Sequence, residues 1–219
     1  MSREESSPKP DDPMREGAAE RDALETAYRF LMANREGVLV FDEHHVPVRF
    51  VTDNSTGRLV MSVPVAVFFS HEHVLFVPEE REDSMQLLVS PEQIDECAAT
   101  DRWLAFHGDP EHVRWATCWI ESAKQSPWVF DGEALSRPNS LAGAEAGLVK
   151  GLNGDQPGLA RLCERATGAA VERPVCVGVD QDGVHVRARF GVVRVPFPHT
   201  ANDAEHARRM ISRLVLGPG

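Results

Sequence analysis

No uninterrupted apolar run in this sequence approaches the ~20 residues that a helix needs to cross a bilayer. The opening MSREESSPKPDDP holds no apolar core of the kind that directs secretion. A protein that works in the cytoplasm and leaves membranes alone is expected. Basic residues are scarce, 23 Lys+Arg against 34 Asp+Glu for a formal net charge of -11. Affinity for a phosphate backbone comes from clustered cations, so nucleic acid is not an expected partner. Cysteines stand only at 97, 118, 163 and 176, with no CxxC pair and with spacings that match neither a zinc set nor a dense disulfide framework. They read as reduced, mostly buried thiols. There is no GxSxG elbow, no P-loop, no GxGxxG opening a helix, and no base beside any cysteine, which removes support for hydrolase and nucleotide-dependent chemistry.

What is present is an ordinary globular composition, 42% hydrophobic and 26% charged over 219 residues, enough for one large domain or two small ones. The first 18 residues, with Pro8, Pro10 and Pro13 and almost nothing apolar, read as a disordered arm. From Ala19 the residues Ala23, Leu24, Ala27, Tyr28 and Leu31 recur at helical steps, predicting an amphipathic helix to about Asn34. Strands are predicted at Val38–Phe41, Val46–Val51, Arg58–Phe69 and Val74–Val77, separated by the short breaks DEHH, DNSTG and SHEH. Breaks this short favour antiparallel pairing, because a parallel crossover needs a dozen or more residues. Pro64 predicts an edge or a bulge in the third strand. Glu79–Ser90 reads as an acidic-led helix with Met85, Leu88 and Val89 inward, and Asp101–Gly108, Val113–Ile120 and Trp128–Phe130 read as further strands.

At Arg137-Pro138-Asn139-Ser140 the composition shifts. Helices are predicted over Ala144–Leu152 and Pro157–Ala166, then a meander of Val175–Val179, Val184–Phe190 and Val192–Phe197, then a closing helix from Asn202, its N-cap, to Leu216.

The helix junction LVKGLNGDQPGL, the turn VDQDGV and the strand end RVPFP together resemble the small C-terminal domain of haem-utilisation type proteins. In that family it follows an N-terminal split β-barrel of the pyridoxamine-phosphate-oxidase, FMN-binding superfamily. The junction usually reads His-Met-Asn-x-Asp-His there. Here Glu145, Leu148, Val149, Leu152, Asn153, Asp155 and Leu159 keep the pattern, while Gly151 and Gln156 replace the two histidines. Neither replacement supplies an imidazole for haem iron or another metal. Asn153 and Asp155 are assigned instead to capping the second helix. His199, beside Pro198, falls where the family places C-terminal ligand histidines.

The resemblance implies FMN as the cofactor, haem as a second choice, and a homodimer with the site between strands of the two chains. Candidate contacts are Arg49, Arg58 and Arg102 for the phosphate, with Ser62, Ser84 and Gln86 as polar neighbours. The string Glu79-Glu80-Arg81-Glu82-Asp83 opposes a dianionic phosphate. His44-His45 and His71-Glu72-His73 are weighed as metal ligands and assigned to solvated turns, so no metal site is predicted. Trp103, Trp115 and Trp119 are assigned to core or interface rather than to a flat ligand's pocket. The expected fold is α+β: an antiparallel split β-barrel over 19–136 and a small α/β sandwich-like C-terminal domain over 140–219. The expected function is binding of a small planar molecule at a degenerate cofactor site. An active FMN-dependent oxidoreductase, a haem-utilisation protein and a non-catalytic dimeric scaffold are the alternatives.

Overall fold

The computed structural model describes residues 13–217. The expected arm therefore lies mostly outside the described residues, and helix α1 (Pro13–Ala33) begins earlier than Ala19. Proline suits the first turn of a helix, where its missing N–H has no partner to lose. The α1 residues Ala27, Tyr28, Leu31 and Met32 are buried against the first core.

That core fills a closed antiparallel barrel. Strands β1 (Glu36–Phe41), β2 (His44–Thr52), β3 (Leu59–Val63), β4 (His73–Val77), β5 (Met85–Ile94) and β6 (Arg114–Gln125) pair in the order β3-β2-β1-β4-β5-β6. β6 returns to β3 through the register Leu59↔Cys118 and Met61↔Ala116, which closes the ring. A short strand β7 (Trp128–Asp131) extends the sheet beyond β6. Alternate residues point inward, among them Leu39, Phe41, Phe50, Met61, Leu75, Leu87 and Cys118. Each buried side chain of the Leu or Phe type contributes about 1.5–3 kcal/mol.

Three expectations fail in this region. Glu79–Ser90 is not a helix but a turn followed by β5, in which Met85, Leu87 and Val89 are buried and Leu88 is 43% exposed. The buried residues recur at a spacing of two, the period of a strand. Pro91 is tolerated within β5 because β4 pairs only as far as Leu88, leaving one side of the strand free beyond it. Asp101–Gly108 is not a strand but part of helix α2 (Ala98–His107), which buries Trp103 and Phe106 three residues apart. Its start is closed by Cys97 N–H donating to Thr100 Oγ1 (2.8 Å), and Gly108, at φ 81°, ends it. Third, the strand ends at Val63, and Pro64 caps a 3-10 turn over Val65–Phe69 instead of making an edge or a bulge.

The C-terminal lobe packs α3 (Ala142–Gly154), α4 (Gln156–Thr167) and α5 (Ala204–Leu216) on one face of a three-stranded antiparallel sheet of β8 (Val175–Asp180), β9 (Gly183–Ala188) and β10 (Gly191–Pro196). Leu148, Leu159, Leu162, Val184, Val186 and Ile211 belong to this second core. Asp203, not Asn202, caps α5, its carboxylate accepting from His206 N–H. The opposite face of the sheet turns to the barrel. There Val177 and Val192 pack on Val51, Val60, Trp103 and Phe106, a third cluster that joins the two lobes. Among the described residues no helix is long and apolar enough to cross a membrane.

Candidate functional site

The six residues that the resemblance assigns to flavin do not gather around one cavity. Arg49 and Ser62 share the wall of a void of about 10 Å³. Arg49 is paired with Glu111 at 3.0 Å, and the buried Ser62 hydroxyl donates to the His112 carbonyl at 2.9 Å. Arg58 lies over the outward-facing Trp119 ring, 3.1 Å from its centroid. Arg102 is buried and paired with Glu145 at 2.6 Å. Ser84 is buried at the start of β5, and Gln86 sits opposite Phe76 and Lys124 in the sheet. Each of the three arginines thus already has a partner among the described residues. The acidic string lies in the exposed β4–β5 turn, where Arg81 contacts Glu79 and Asp83.

The histidine clusters separate in the same way. His45 pairs with Glu80 at 2.6 Å, while the buried His73 meets the Val67 carbonyl at 2.9 Å. His44 and His73 stand on either side of Phe41 in the register of the sheet. Trp103 is core, donating its indole N–H to the Arg49 carbonyl at 2.8 Å and meeting Trp115 edge-on.

At the helix junction Asp155 caps α4 as expected, accepting from Gly158 N–H at 2.9 Å. Asn153 does something else. Its side chain exchanges two hydrogen bonds with the Cys176 backbone, at 2.8 and 2.9 Å, and docks β8 onto the junction. A side chain at position 151 would enter open space beside a cavity of about 320 Å³ between α3 and α5.

The concentration of positive charge lies elsewhere, in a cleft of about 500 Å³ between the lobes. Arg35, Arg49, Arg187 and Arg189 line it, with Phe106, His107, Phe190 and the single carboxylate Glu36. Four segments build it, and β2 brings Arg49. The α1–β1 junction brings Arg35, whose carbonyl accepts from Phe50 N–H at 2.9 Å. Helix α2 brings Phe106 and His107, held to β2 by the contact between His107 Nε2 and the Phe50 carbonyl at 3.1 Å. Burial pushes the His107 pKa down to about 4, so the neutral ring donates from Nε2. The β9–β10 hairpin brings Arg187, which donates to the Ala105 carbonyl at 2.7 Å in the last turn of α2, and Arg189 with Phe190 at the hairpin tip.

Behind the cleft runs a buried polar chain. Arg194 grips Asp180 with two bonds, 2.8 and 3.0 Å, and Asp180 also lies 2.8 Å from His185 Nε2. The same nitrogen is 2.7 Å from Arg194 Nη1 and 3.2 Å from Arg35 Nη2. Burial, then the flanking arginines, pushes the His185 pKa down to about 3. The ion pair with Arg194 and the contact with His185 together outweigh burial and hold the Asp180 carboxyl well below its ordinary range. A chain of this kind fixes charge and hydrogen-bond donors in place, an arrangement suited to holding and orienting an anion.

Sequence reasoning missed Arg35, His107, Arg187, Arg189 and the Asp180–His185–Arg194 set. One signal was available: in HVRAR (185–189) residues of spacing two, His185, Arg187 and Arg189, alternate with Val186 and Ala188. That pattern places cations on the sheet face opposite the helices. Arg35 had no such signal, since only the lobe packing buries it.

No protein-family model matches the sequence, and no curated protein matches it. Among solved structures the chain is similar to the protein Atu2129, of unknown function, from Agrobacterium tumefaciens str. C58, with a TM-score of 0.70 at 14% identity, covering 96% of this chain and 100% of that one. That likeness is one of fold. A heme binding protein from Mycobacterium smegmatis aligns with a TM-score of 0.41 at 17% identity over 89% of this chain and 96% of that one, too loosely to support an argument.

Proposed function

We propose that this protein binds a small organic anion in the cleft between the barrel and the C-terminal lobe, and that it is a split-barrel relative whose flavin-type site is degenerate. The observation that carries the reading is the cleft itself: four arginines around about 500 Å³ in a chain of net charge -11. Its volume falls within the ~300–1,000 Å³ usual for small-molecule sites. Phe190, 68% exposed at the hairpin tip, offers apolar surface to a planar ligand body, while Phe106 is buried in the wall behind it. The closed six-stranded barrel supports kinship with the pyridoxamine-phosphate-oxidase type of fold. The partnered state of Arg49, Arg58 and Arg102 supports loss of the flavin clamp.

The test is an amide-resonance titration of the full chain with FMN, haemin and naphthoate. Whichever of them binds, the first resonances to move are expected to be those of Arg35, His107, Arg187 and Phe190. Saturable shifts centred instead on Arg58, Ser84 and Gln86 would place a flavin site on the barrel and overturn the cleft reading.

A further inference from the structure

Arg35 differs from the other cations of the cleft. It is 6% exposed, and its Nε and Nη1 have no hydrogen-bond partner among the described residues. Only Nη2 is engaged, with His185 Nε2 at 3.2 Å and Met32 Sδ at 4.0 Å. The Phe106 ring lies 5.7 Å from its guanidinium carbon.

The charges around it do not cancel. Asp180 is gripped by Arg194, and Glu145 is taken by Arg102. The Tyr28 phenol, its pKa pushed up to about 12 chiefly by burial, is neutral, as are the rings of His107 and His185. His185 Nε2 serves Asp180 as a donor or the arginines as an acceptor, and in either tautomer Nδ1 stays without a partner. Glu36 is exposed, and Glu111 pairs with Arg49. One positive charge, that of Arg35, is therefore left over in a buried setting. Such a charge is costly unless something meets it. Burial, and then Arg194, pulls the Arg35 pKa down to about 9, which leaves it protonated near neutrality.

We infer that the ligand of this cleft presents one carboxylate to Arg35. The inference rests on the cleft reading above and narrows it. A carboxylate carries one charge and a planar pair of acceptors that match a guanidinium. A phosphate monoester carries about -1.5 to -2 at neutral pH. It would leave surplus negative charge near Asp180, where solvent does not screen it. The outer arginines, Arg187 and Arg189, then steer the ligand inward without discriminating between acids.

Three compounds with one aromatic body separate the possibilities: naphthoate, naphthyl phosphate and naphthamide, titrated into the full chain near neutral pH with cleft amide resonances as the readout. Naphthoate is expected to bind at least ~10-fold more tightly than the other two, a difference of about 1.4 kcal/mol. Arg35→Met is expected to lose ~10-fold or more of the naphthoate affinity with little change for naphthamide, and Arg35→Lys to retain part of it. The compound series on the unaltered protein stands even if Arg35→Met fails to fold. Naphthyl phosphate binding as tightly as naphthoate, or a folded Arg35→Met with unchanged naphthoate affinity, would overturn the carboxylate inference and leave the cleft reading intact, whereas naphthamide binding as tightly as naphthoate would overturn the anion reading as well. Cleft resonances that move with none of the three overturn both.

Discussion

Glu145 shows how much one side chain carries in this protein. It is buried at the start of α3 and accepts from Arg102 Nη1 at 2.6 Å, from Val179 N–H at 3.0 Å and from the Asn54 side-chain amide. Those partners come from α2, from β8 and from the turn after β2, so a single carboxylate ties both lobes together. Gly178 makes room for it: a Cβ there would come within 2.8 Å of the Phe106 ring and 2.9 Å of Arg102 Nη2. Removing one member of a buried ion pair strands the other charge, so Glu145→Ala is expected to cost about 3–5 kcal/mol in urea unfolding. Replacing the pair together, Arg102→Met with Glu145→Leu, is expected to recover most of that loss. A Glu145→Ala cost below about 1 kcal/mol would show that the clasp does not hold the lobes. The position of Glu145 was legible in the helix-junction pattern, but its partners were not. In the sequence Arg102 reads as a candidate phosphate contact, and only the docking of the two lobes makes it a buried counter-ion.

Among the elements, β5 and α2 are where local pattern and fold parted. MQLLV fits a helical face if Met85, Leu88 and Val89 are taken as inward, and a strand face if Met85, Leu87 and Val89 are. Five residues do not choose between the two. The neighbours do, because β4 and β6 both need a partner to close the barrel. The two readings put opposite leucines inside. Leu87→Ala is expected to lose about 2–5 kcal/mol of stability. Leu88→Thr, at a half-exposed position, is expected to stay within about 0.5 kcal/mol. Equal costs in chemical denaturation would count against the strand register. For α2 the misleading signal was the run of large residues in DRWLAF, which suits a strand as well as a helix. The reciprocal cap of Cys97 and Thr100 was the better guide, and a cysteine is not an obvious cap residue.

For the molecule as a whole, the interface between the lobes should make stability depend on pH. Burial lowers the pKa of His107 to about 4 and of His185 to about 3 from an ordinary 6.5. Below the ordinary value the unfolded chain binds protons that the folded chain refuses, so stability falls with pH. The contribution is complete above pH 6.5, is lost from His107 as pH falls to about 4, and continues to be lost from His185 down to about 3. Each unit of pKa difference amounts to about 1.4 kcal/mol. Asp180, held low by Arg194 and His185, adds a loss of the same sign at lower pH. Urea midpoints measured from neutrality downward are expected to fall once the pH passes below about 6.5. A profile flat to about pH 4–5 would mean that these rings are not sequestered between the lobes. By itself the sequence determined the α+β class, the barrel strands other than β5, the two helices around LVKGLNGDQPGL and the closing meander and helix, because apolar periodicity and turn residues act over a few neighbours. Only the tertiary structure decided that Arg35, His107 and the HVRAR face of β9 share one cleft. A site assembled from segments spread over 150 residues of chain, from Arg35 to His185, is set by how the lobes pack, and that packing leaves no local trace at Arg35.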